Sequence, residues 1–340
     1  MSHKRQVQMP HRYFQKAKSE YSDWRYAMIR EFIQNSYDAL ATNIDFSLSV
    51  HSNDQLELTV ADDGVGMDQD TLESVLLCMG GTRKIDGSIG GFGYAKAILF
   101  FAHHQYSIQT RDLLVTGSGG EYRLTNQTSG IVGTRVVVEI DDDESMLDVW
   151  QELIRSYVST CFLEYANERA VCIRLDGEVL DQNNDRTYAF NVQSPLGAMS
   201  YDEIKDSSRS AFVVSVAGLP MFEESFYSDT NETALVGGVE LEAGSTVLTA
   251  NRDGFISSVR DEFAHVAGGL VQSQSAIRFG RALDLSINFD SSTGFPALRG
   301  TGCADGSEEQ HGGESAGPNA PLILSHQLGK HRTSHHRTVW

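Results

Sequence analysis

An acidic and amide-bearing stripe runs along one predicted helix of this 340-residue chain. In the segment REFIQNSYDAL, which begins at Arg30, Glu31, Asn35 and Asp38 are four and three residues apart and share one helix face. Apolar residues flank the stripe and the next lysine or arginine is Arg83, so a plain solvent-exposed face is the weaker interpretation. If the helix faced a triphosphate, the glutamate could deprotonate water and the asparagine could offer an oxygen to Mg²⁺.

A glycine-bearing turn, DDGVGM at residues 62–67, follows a predicted strand and precedes a predicted helix. Glycine allows the backbone to approach a ligand closely and to adopt positive φ. A carboxylate at the strand end, such as Asp62, could accept a hydrogen bond from the exocyclic amine of adenine. A simple strand-to-helix turn explains the same residues, and for this motif alone the simple turn is favoured.

A second glycine-rich segment, GSIGGFGYAK at residues 87–96, leads directly into a strongly apolar helix. Backbone N–H groups at a helix N-terminus bind anions, and glycines allow phosphates to come close. Arg83, Lys84 and Lys96 could add cationic contacts to phosphates. The spacing fits neither a P-loop nor a Rossmann fingerprint, and a flexible linker between two helices is an equal alternative.

Hydrophobic periodicity predicts the elements that would position these residues. The predicted helices of the first part of the chain lie at about 26–42, 68–79, 95–103 and 142–161, and its predicted strands at 44–51, 55–61, 104–111, 121–125 and 133–140. A second set starts near residue 168, with a strand pair around the turn LDGE, strands within 211–226 and 234–250, and a helix at 256–280. After about residue 290 the chain is rich in Gly, Ser, Glu and His, which predicts a disordered tail.

Charge and composition restrict the class of protein. The net charge of -19 disfavours a protein that binds nucleic acid or acidic membranes with its whole surface, although a local basic groove stays possible. The sequence has no transmembrane-length apolar run and no signal-peptide core. Its 4 cysteines form no CxxC pair and no zinc spacing. These features predict a cytoplasmic protein with reduced cysteines.

In chain order, the motifs resemble those of the GHKL superfamily of ATPases, which includes gyrase B, Hsp90, MutL and histidine kinases. Hsp90 proteins carry ELISNAxDAL, DTGIGM, GxFGVGF and GTxV, where this chain has EFIQNSYDAL, DDGVGM, GGFGYAK and GTRV. The resemblance covers about residues 12–160. It implies an α+β fold of the Bergerat type, an ATP-binding sandwich of a mixed sheet with helices on one face.

The resemblance also implies a role for each matched residue. Glu31 would be the general base for water, Asn35 would hold Mg²⁺, and Asp38 would lie near the ribose and phosphates. Asp62 would bind the adenine amine, supported by Thr134 through water. The other implied nucleotide contacts are Gly64, Gly66, Met67, Arg83, Lys84, Gly91, Phe92, Gly93, Tyr94, Ala95 and Lys96.

The glycine-rich segment 80–96 would form the lid over ATP. Here the chain departs from the family, because Ala95 stands where the family has a third lid glycine. Alanine costs little where φ is negative, but it leaves less room for a phosphate.

The order of the segments resembles gyrase, Hsp90, MutL and topoisomerase VI B, in which an S5-like transducer domain follows the ATPase and feeds a residue back to the γ-phosphate. VLTANRDGF at 247–255 resembles the LNxSRExL stretch of Hsp90 middle domains. Arg252 is therefore the predicted γ-phosphate sensor with Asn251 as its helper, and a surface turn closed by Asp253 and Gly254 is the alternative. The predicted organisation is an arm at 1–25, an ATP-binding domain at 26–162, a smaller S5-like α/β domain at 163–289 and a disordered tail at 290–340.

Together these features predict a magnesium-dependent ATPase that acts as a conformational switch. Its lid and second domain would close on ATP, an ATP-dependent homodimer would form through the arm, and a protein or DNA client would be remodelled in a chaperone-like or topoisomerase-like way, with no membrane partner. The alternative is a nucleotide-binding regulatory or interaction protein, of phage or mobile-element origin, in which hydrolysis is incidental. A histidine kinase is a distant third possibility.

Overall fold

The computed structural model describes residues 9–51, 54–79, 95–163, 169–182, 187–193, 197–227, 233–242 and 245–261, residues 263, 264, 267 and 270, and the backbone of 285–290 and 295–300. The start of the predicted arm, residues 80–94 of the predicted lid and residues 301–340 of the predicted tail lie outside the described residues. The predictions for Arg83, Lys84, Gly91, Phe92, Gly93 and Tyr94 therefore stay predictions.

The first part of the chain builds an eight-stranded sheet in the order β5-β4-β3-β6-β2-β1-β7-β8. Its strands are β1 (Asn43–Val50), β2 (Gln55–Asp62), β3 (Gln105–Thr110), β4 (Leu113–Ser118), β5 (Glu121–Asn126), β6 (Thr134–Asp143), β7 (Cys172–Leu175) and β8 (Glu178–Val179). The sheet is mixed, because β1 pairs with β7 in parallel while the other neighbours are antiparallel. Buried and less buried residues alternate along β2 and β6, as expected where one face of a sheet is covered.

Helices that pack on one another supply this cover. They are α1 (His11–Ser19), α2 (Trp24–Asp38), α3 (Gln69–Thr71) with the following π-helix Leu72–Leu76, the π-helix Ala97–Phe101, and α4 (Leu147–Thr160) after a 3-10 turn at Glu144–Met146. The side chain of Asp23 caps α2 by accepting hydrogen bonds from the backbone N–H groups of Arg25 and Tyr26. Ile29 and Ile33 of α2 are fully buried in the same core as the sheet residues, so α2 is fixed on the sheet.

The second part of the chain forms a five-stranded sheet in the order β12-β11-β13-β10-β9. Its strands are β9 (Phe190–Gln193), β10 (Gly197–Lys205), β11 (Arg209–Val216), β12 (Leu219–Tyr227) and β13 (Thr233–Leu241). Helical residues described between 257 and 270 cover it, and the ring of Phe263 packs edge-on against Phe212 with the centroids 5.6 Å apart. A separate hairpin joins β14 (Leu285–Asp290) and β15 (Phe295–Gly300).

The predicted α+β fold class is confirmed, with a mixed sheet, packed helices and a second, smaller sheet. The strand pair around LDGE was assigned to the second set of elements, and that assignment is wrong. It forms β7 and β8, which extend the first sheet because Ile173 and Leu175 are buried where β7 pairs with β1. Five strands, β4, β9, β10, β14 and β15, were not predicted, and β15 lies within the segment that was predicted to be a disordered tail. The predicted domain boundaries stay a prediction.

The two sheets meet at α2 and α4. The hydroxyl of Tyr157 on α4 donates to the backbone oxygen of Pro220 at 2.9 Å, and the N–H of Phe162 donates to the oxygen of Gly218 at 3.1 Å. Strand β12 lies against α2, the helix that carries the acidic stripe. Within the ranges given above, no helix is long and apolar enough to cross a membrane.

Candidate functional site

Helix α2 carries the three stripe residues on the side of the molecule where the two sheets meet. Glu31 is 6% exposed, and Asn35 and Asp38 are half-buried. The helix ends after Asp38, where the next turn places Leu40 in the left-handed region with φ 64°. The stripe is therefore held by a helix that is capped at one end, packed along its length and sharply terminated at the other.

Asp62, at the end of β2, lies at the centre of a hydrogen-bonded cluster. Its Oδ1 accepts from the backbone N–H of Gly64 at 2.9 Å and of Thr134 at 3.3 Å, and its Oδ2 accepts from the hydroxyl of Ser36 at 3.2 Å. Burial raises the pKa of Asp62 above its usual value, although these three donors act in the opposite direction. The predicted adenine residues Asp62 and Thr134 are thus brought together by the pairing of β2 with β6.

The DDGVGM turn is packed so closely that glycine is required in it. Gly66 has φ +63°, and a Cβ there would lie 2.8 Å from the backbone oxygen of Gly133 and 2.9 Å from the hydroxyl of Thr110. The same hydroxyl accepts from the N–H of Met67 at 2.7 Å and lies 3.3 Å from the hydroxyl of Thr134. Thr110 was not predicted from the sequence, since only the pairing of β3 with β6 brings it here.

Arg252 reaches the stripe from the second part of the chain. Its Nη2 lies 3.7 Å from Glu31 Oε1, and its Nη1 donates to Gln34 Oε1 at 3.0 Å. The arginine is 8% exposed and adopts φ 55°, which a turn between Thr249 and Gly254 imposes. Burial lowers the pKa of Arg252, while the charge of Glu31 acts against that shift. The structure therefore brings together the two residues that were predicted from the sequence to be the general base and the sensor of the γ-phosphate.

A second arginine, Arg30, joins α2 to the turn that carries Arg252. It is 1% exposed and donates to the backbone oxygens of Met221 at 3.2 Å, Asn251 at 3.0 Å and Arg252 at 2.9 Å. Its Nη2 also donates to Glu31 Oε1 at 3.2 Å. Arg30 was not predicted as a site residue, although an arginine within an apolar helical pattern is a signal for a buried polar role.

The end of the N-terminal arm lies against the same turn. Asn251 Nδ2 donates to the backbone oxygen of Glu20 at 3.0 Å, and the N–H of Ser22 donates to Asp253 Oδ2 at 3.0 Å. Between them, Tyr21 is buried, and burial together with the negative charge of Glu31 raises the pKa of its hydroxyl. Helix α1 packs on the same chain's π-helix at 97–101. In this arrangement the described part of the arm is used within one copy of the chain.

Lys96 is the described end of the predicted lid. Its Nζ donates to the backbone oxygens of Val75 and Cys78, at 2.6 Å for the latter. These oxygens lie at the C-terminal end of the helical segment 69–76, where a cation is favoured. Burial lowers the pKa of Lys96 to about 8. Neighbouring Ala95 is half-buried.

The donor set on α2 fits magnesium better than a tightly ligated transition metal. Among the residues that the structure describes, no group of three or more His, Cys, Asp or Glu side chains could hold a metal ion. Mg²⁺ usually takes one or two protein oxygens and completes its shell with water and substrate phosphates. Asn35, half-buried between Glu31 and Asp38 on one helix face, offers such an oxygen.

With the fold and the arrangement of these residues described, comparison with known proteins shows which class of protein the first part of the chain resembles. Residues 25–121 match the family described as histidine kinase-, DNA gyrase B-, and HSP90-like ATPase. This match confirms the resemblance to the GHKL superfamily of ATPases that the motifs indicated for the first part of the chain.

A particular relative supports the Hsp90-like arrangement. The chaperone protein HtpG of Sulfurimonas denitrificans is 24% identical over 239 residues. The alignment covers 56% of this chain and 37% of the relative, so the chain spans well under half the length of the protein that it matches.

Proposed function

We propose that this chain binds ATP with Mg²⁺ and hydrolyses it as a conformational switch whose turnover depends on the second domain. One observation carries the proposal: Arg252 of the second domain lies 3.7 Å from Glu31, on the helix whose motif defines the ATPase family. A cation that arrives from another domain at the predicted base gives a physical link between domain position and chemistry.

We call the adenine-binding end of the site the base end. There, Asp62 would accept a hydrogen bond from the adenine amine. The carboxylate is already oriented by Ser36, Gly64 and Thr134, so it loses little freedom when the base binds. Gly66 and Met67 would line the same pocket, as the resemblance implies. This end would set the affinity for ATP and ADP alike, because both carry adenine.

At the phosphate end, Glu31 would take the proton of the attacking water and Asn35 would hold Mg²⁺, with Asp38 beside the ribose and phosphates. Bound Mg²⁺ would neutralise phosphate charge during transfer. Arg252 would move from Glu31 to the terminal phosphate, which is more strongly charged, with Asn251 supporting it. The lid 80–96 would exclude water from the site. Ala95 and Lys96 are its proposed nucleotide contacts among the residues that the structure describes. Its further proposed contacts are Arg83, Lys84, Gly91, Phe92, Gly93 and Tyr94.

The proposal also includes a protein client and an ATP-dependent homodimer. The HtpG relative is named a chaperone protein, which supports a protein client over a DNA client. The proposed ATP-dependent homodimer would require the arm at 1–25 to leave its own chain. Light scattering with a non-hydrolysable ATP analogue tests the dimer, and ATPase assays with and without DNA test the client. ATP-dependent dimerisation without a response to DNA would support the chaperone-like form.

A regulatory nucleotide-binding protein is the second candidate, and the pairing of Glu31 favours it. This carboxylate meets the guanidinium groups of both Arg30 and Arg252. An ion-paired carboxylate is a poor acceptor for a water proton, so a form that keeps both arginines in place would bind ATP without turnover.

Replacing Glu31, the proposed general base, tests the proposal directly. Glu31→Ala should bind ATP and ADP like the wild type but lose at least about 100-fold in kcat, as expected for a general base. Glu152→Ala, an exposed glutamate on α4, is the matched control and should change neither. Turnover at the wild-type rate in Glu31→Ala would show that Glu31 is not the base. ATP binding with no turnover in the wild type would favour the regulatory candidate, and no ATP binding would reject both.

A further inference from the structure

Gln34 belongs to the functional stripe of α2, although its residue type alone did not suggest a role. It is three residues after Glu31 and four before Asp38, so it lies on the same helix face as both. It is 1% exposed. A glutamine buried to this extent requires an account of both ends of its amide group.

The oxygen end of the amide holds Arg252. Gln34 Oε1 accepts from Arg252 Nη1 at 3.0 Å, while Arg252 Nη2 lies 3.7 Å from Glu31 Oε1. Because a guanidinium only donates hydrogen bonds, the contact atom of Gln34 must be its oxygen, which fixes the orientation of the amide. The shorter contact of the buried arginine is thus with a neutral group.

The nitrogen end of the amide is buried and donates no hydrogen bond to a described residue. Gln34 Nε2 has no hydrogen-bond partner among the described residues. An unpaired buried donor is unfavourable, so a packing role alone gives no reason for a glutamine here. A role in orienting Arg252 explains the glutamine. Its Oε1 holds the arginine, and the unpaired Nε2 is present because an amide group carries both atoms.

We propose that Gln34 is a positioning residue for ATP turnover, which holds the Arg252 guanidinium beside Glu31 and releases it to the terminal phosphate when ATP binds. The proposal rests on the function proposed above. A neutral acceptor suits this task, because it orients the arginine without competing with a phosphate for its charge. A carboxylate at the same position would retain the arginine by a buried ion pair.

A double-mutant cycle between Gln34 and Arg252 tests this. Gln34→Ala should lower kcat about tenfold, the order expected for loss of a hydrogen bond to a charged group, with the Kd for ADP within about twofold of wild type. Arg252→Ala should lower kcat at least as much. The double variant should match Arg252→Ala alone, because Gln34 acts through the arginine. Gln34→Met, which fills the same space, should behave like Gln34→Ala, and Gln34→Glu should also turn over slowly because it retains the arginine.

The control is Gln151→Ala, which removes a glutamine of α4 that bonds Asp176 at 3.4 Å on the surface, and it should keep wild-type kcat. Unchanged kcat in Gln34→Ala and Gln34→Met, or additive losses in the double variant, would overturn the positioning role alone. Parallel losses of kcat, ADP binding and Tm would overturn it as well, since they indicate a structural residue. Unchanged kcat in Arg252→Ala, or no turnover in the wild type, would overturn the proposed function together with this inference.

Discussion

The two ends of the proposed nucleotide site are built from different parts of the molecule. At the base end, Asp62 is held by Ser36, Gly64 and Thr134, which all belong to the first sheet and its helices. At the phosphate end, Glu31 meets Arg252, which comes from the second part of the chain. The difference suggests that nucleotide binding and nucleotide turnover depend on different structures and can be separated by mutation.

The ends also differ in charge. One carboxylate at the base end is met by neutral donors, whereas the phosphate end gathers Glu31, Arg30 and Arg252, each less than a tenth exposed. Buried charges are tolerated only while they are paired. A movement of the second domain would therefore disturb the phosphate end strongly and leave the base end nearly unchanged.

The largest effect is expected from Arg30→Met, which removes the link between α2 and the Arg252 turn. Loss of one partner from a buried charged network costs about 3 kcal/mol in free energy of unfolding, and three backbone oxygens would lose their donor. Turnover should fall with stability, while ADP binding at the base end should persist wherever the variant is folded. Urea denaturation and ADP titration measure the two effects.

Arg25→Met is the matched control on the same helix. Arg25 bonds Asp142 at 2.6 and 2.8 Å within the first part of the chain, and its side chain is 27% exposed. Its loss should cost less stability than the loss of Arg30, because Asp142 keeps the hydrogen bond from Trp150 Nε1 at 2.8 Å, and it should leave kcat unchanged. Equal effects of the two variants would contradict the claim that the phosphate end depends on the second domain.

How much the sequence could predict also differs between the two ends. The base end follows from local patterns, because the alternation in β1 and β2 and the DDGVGM turn are contiguous in the chain. Asp62 and Gly66 were found in this way. Thr110 was not, because only strand pairing across the sheet brings it to the turn.

The phosphate end was predicted less completely, because its contacts join residues more than 200 positions apart. Arg252 was identified from a short resemblance, and the structure places it beside Glu31. Arg30 and Gln34 were not identified, since no periodicity shows that an arginine will bind backbone oxygens of a distant turn. The π-helical turns at 72–76 and 97–101 were predicted as ordinary helices, because both share the same hydrophobic spacing.

A smaller effect, confined to the base end, is expected from Asp62→Asn. The substitution replaces a carboxylate oxygen that would accept from adenine, so the Kd for ATP and for ADP should each rise about tenfold. Burial raises the pKa of Asp62, so ionisation costs the folded protein stability as the pH rises above the usual carboxylate range. Relative to the wild type, Asp62→Asn should therefore gain stability between pH 4 and pH 7. Calorimetric titration and urea denaturation at the two pH values test this.

Asp63→Asn should behave in the opposite way and serves as the control. Burial alone would raise the pKa of Asp63, but hydrogen bonds from the side chains and N–H groups of Asn43 and Thr42 lower it to about 2. Its stabilisation is present above the usual carboxylate range and is lost as the pH falls toward 2. The variant should lose stability at pH 7 with unchanged affinity for ADP. If it weakens ADP binding as Asp62→Asn does, the base end is not centred on Asp62.

The smallest effect is expected from Lys96→Met. This variant decides whether the lysine belongs to the phosphate end of the site. In the structure its Nζ binds the backbone oxygens of Val75 and Cys78, so its loss should cost about 1 kcal/mol of unfolding free energy with little change in ATP affinity. Burial lowers the pKa of Lys96 to about 8, so the wild type should gain stability from pH 8 to pH 10 as the buried ammonium loses its proton, and the variant should not. Lys16→Met, on the exposed side of α1, controls for loss of charge. If the variant instead keeps its stability but binds ATP about tenfold more weakly, Lys96 belongs to the phosphate end. Only a contact to the triphosphate would weaken ATP binding without lowering the free energy of unfolding.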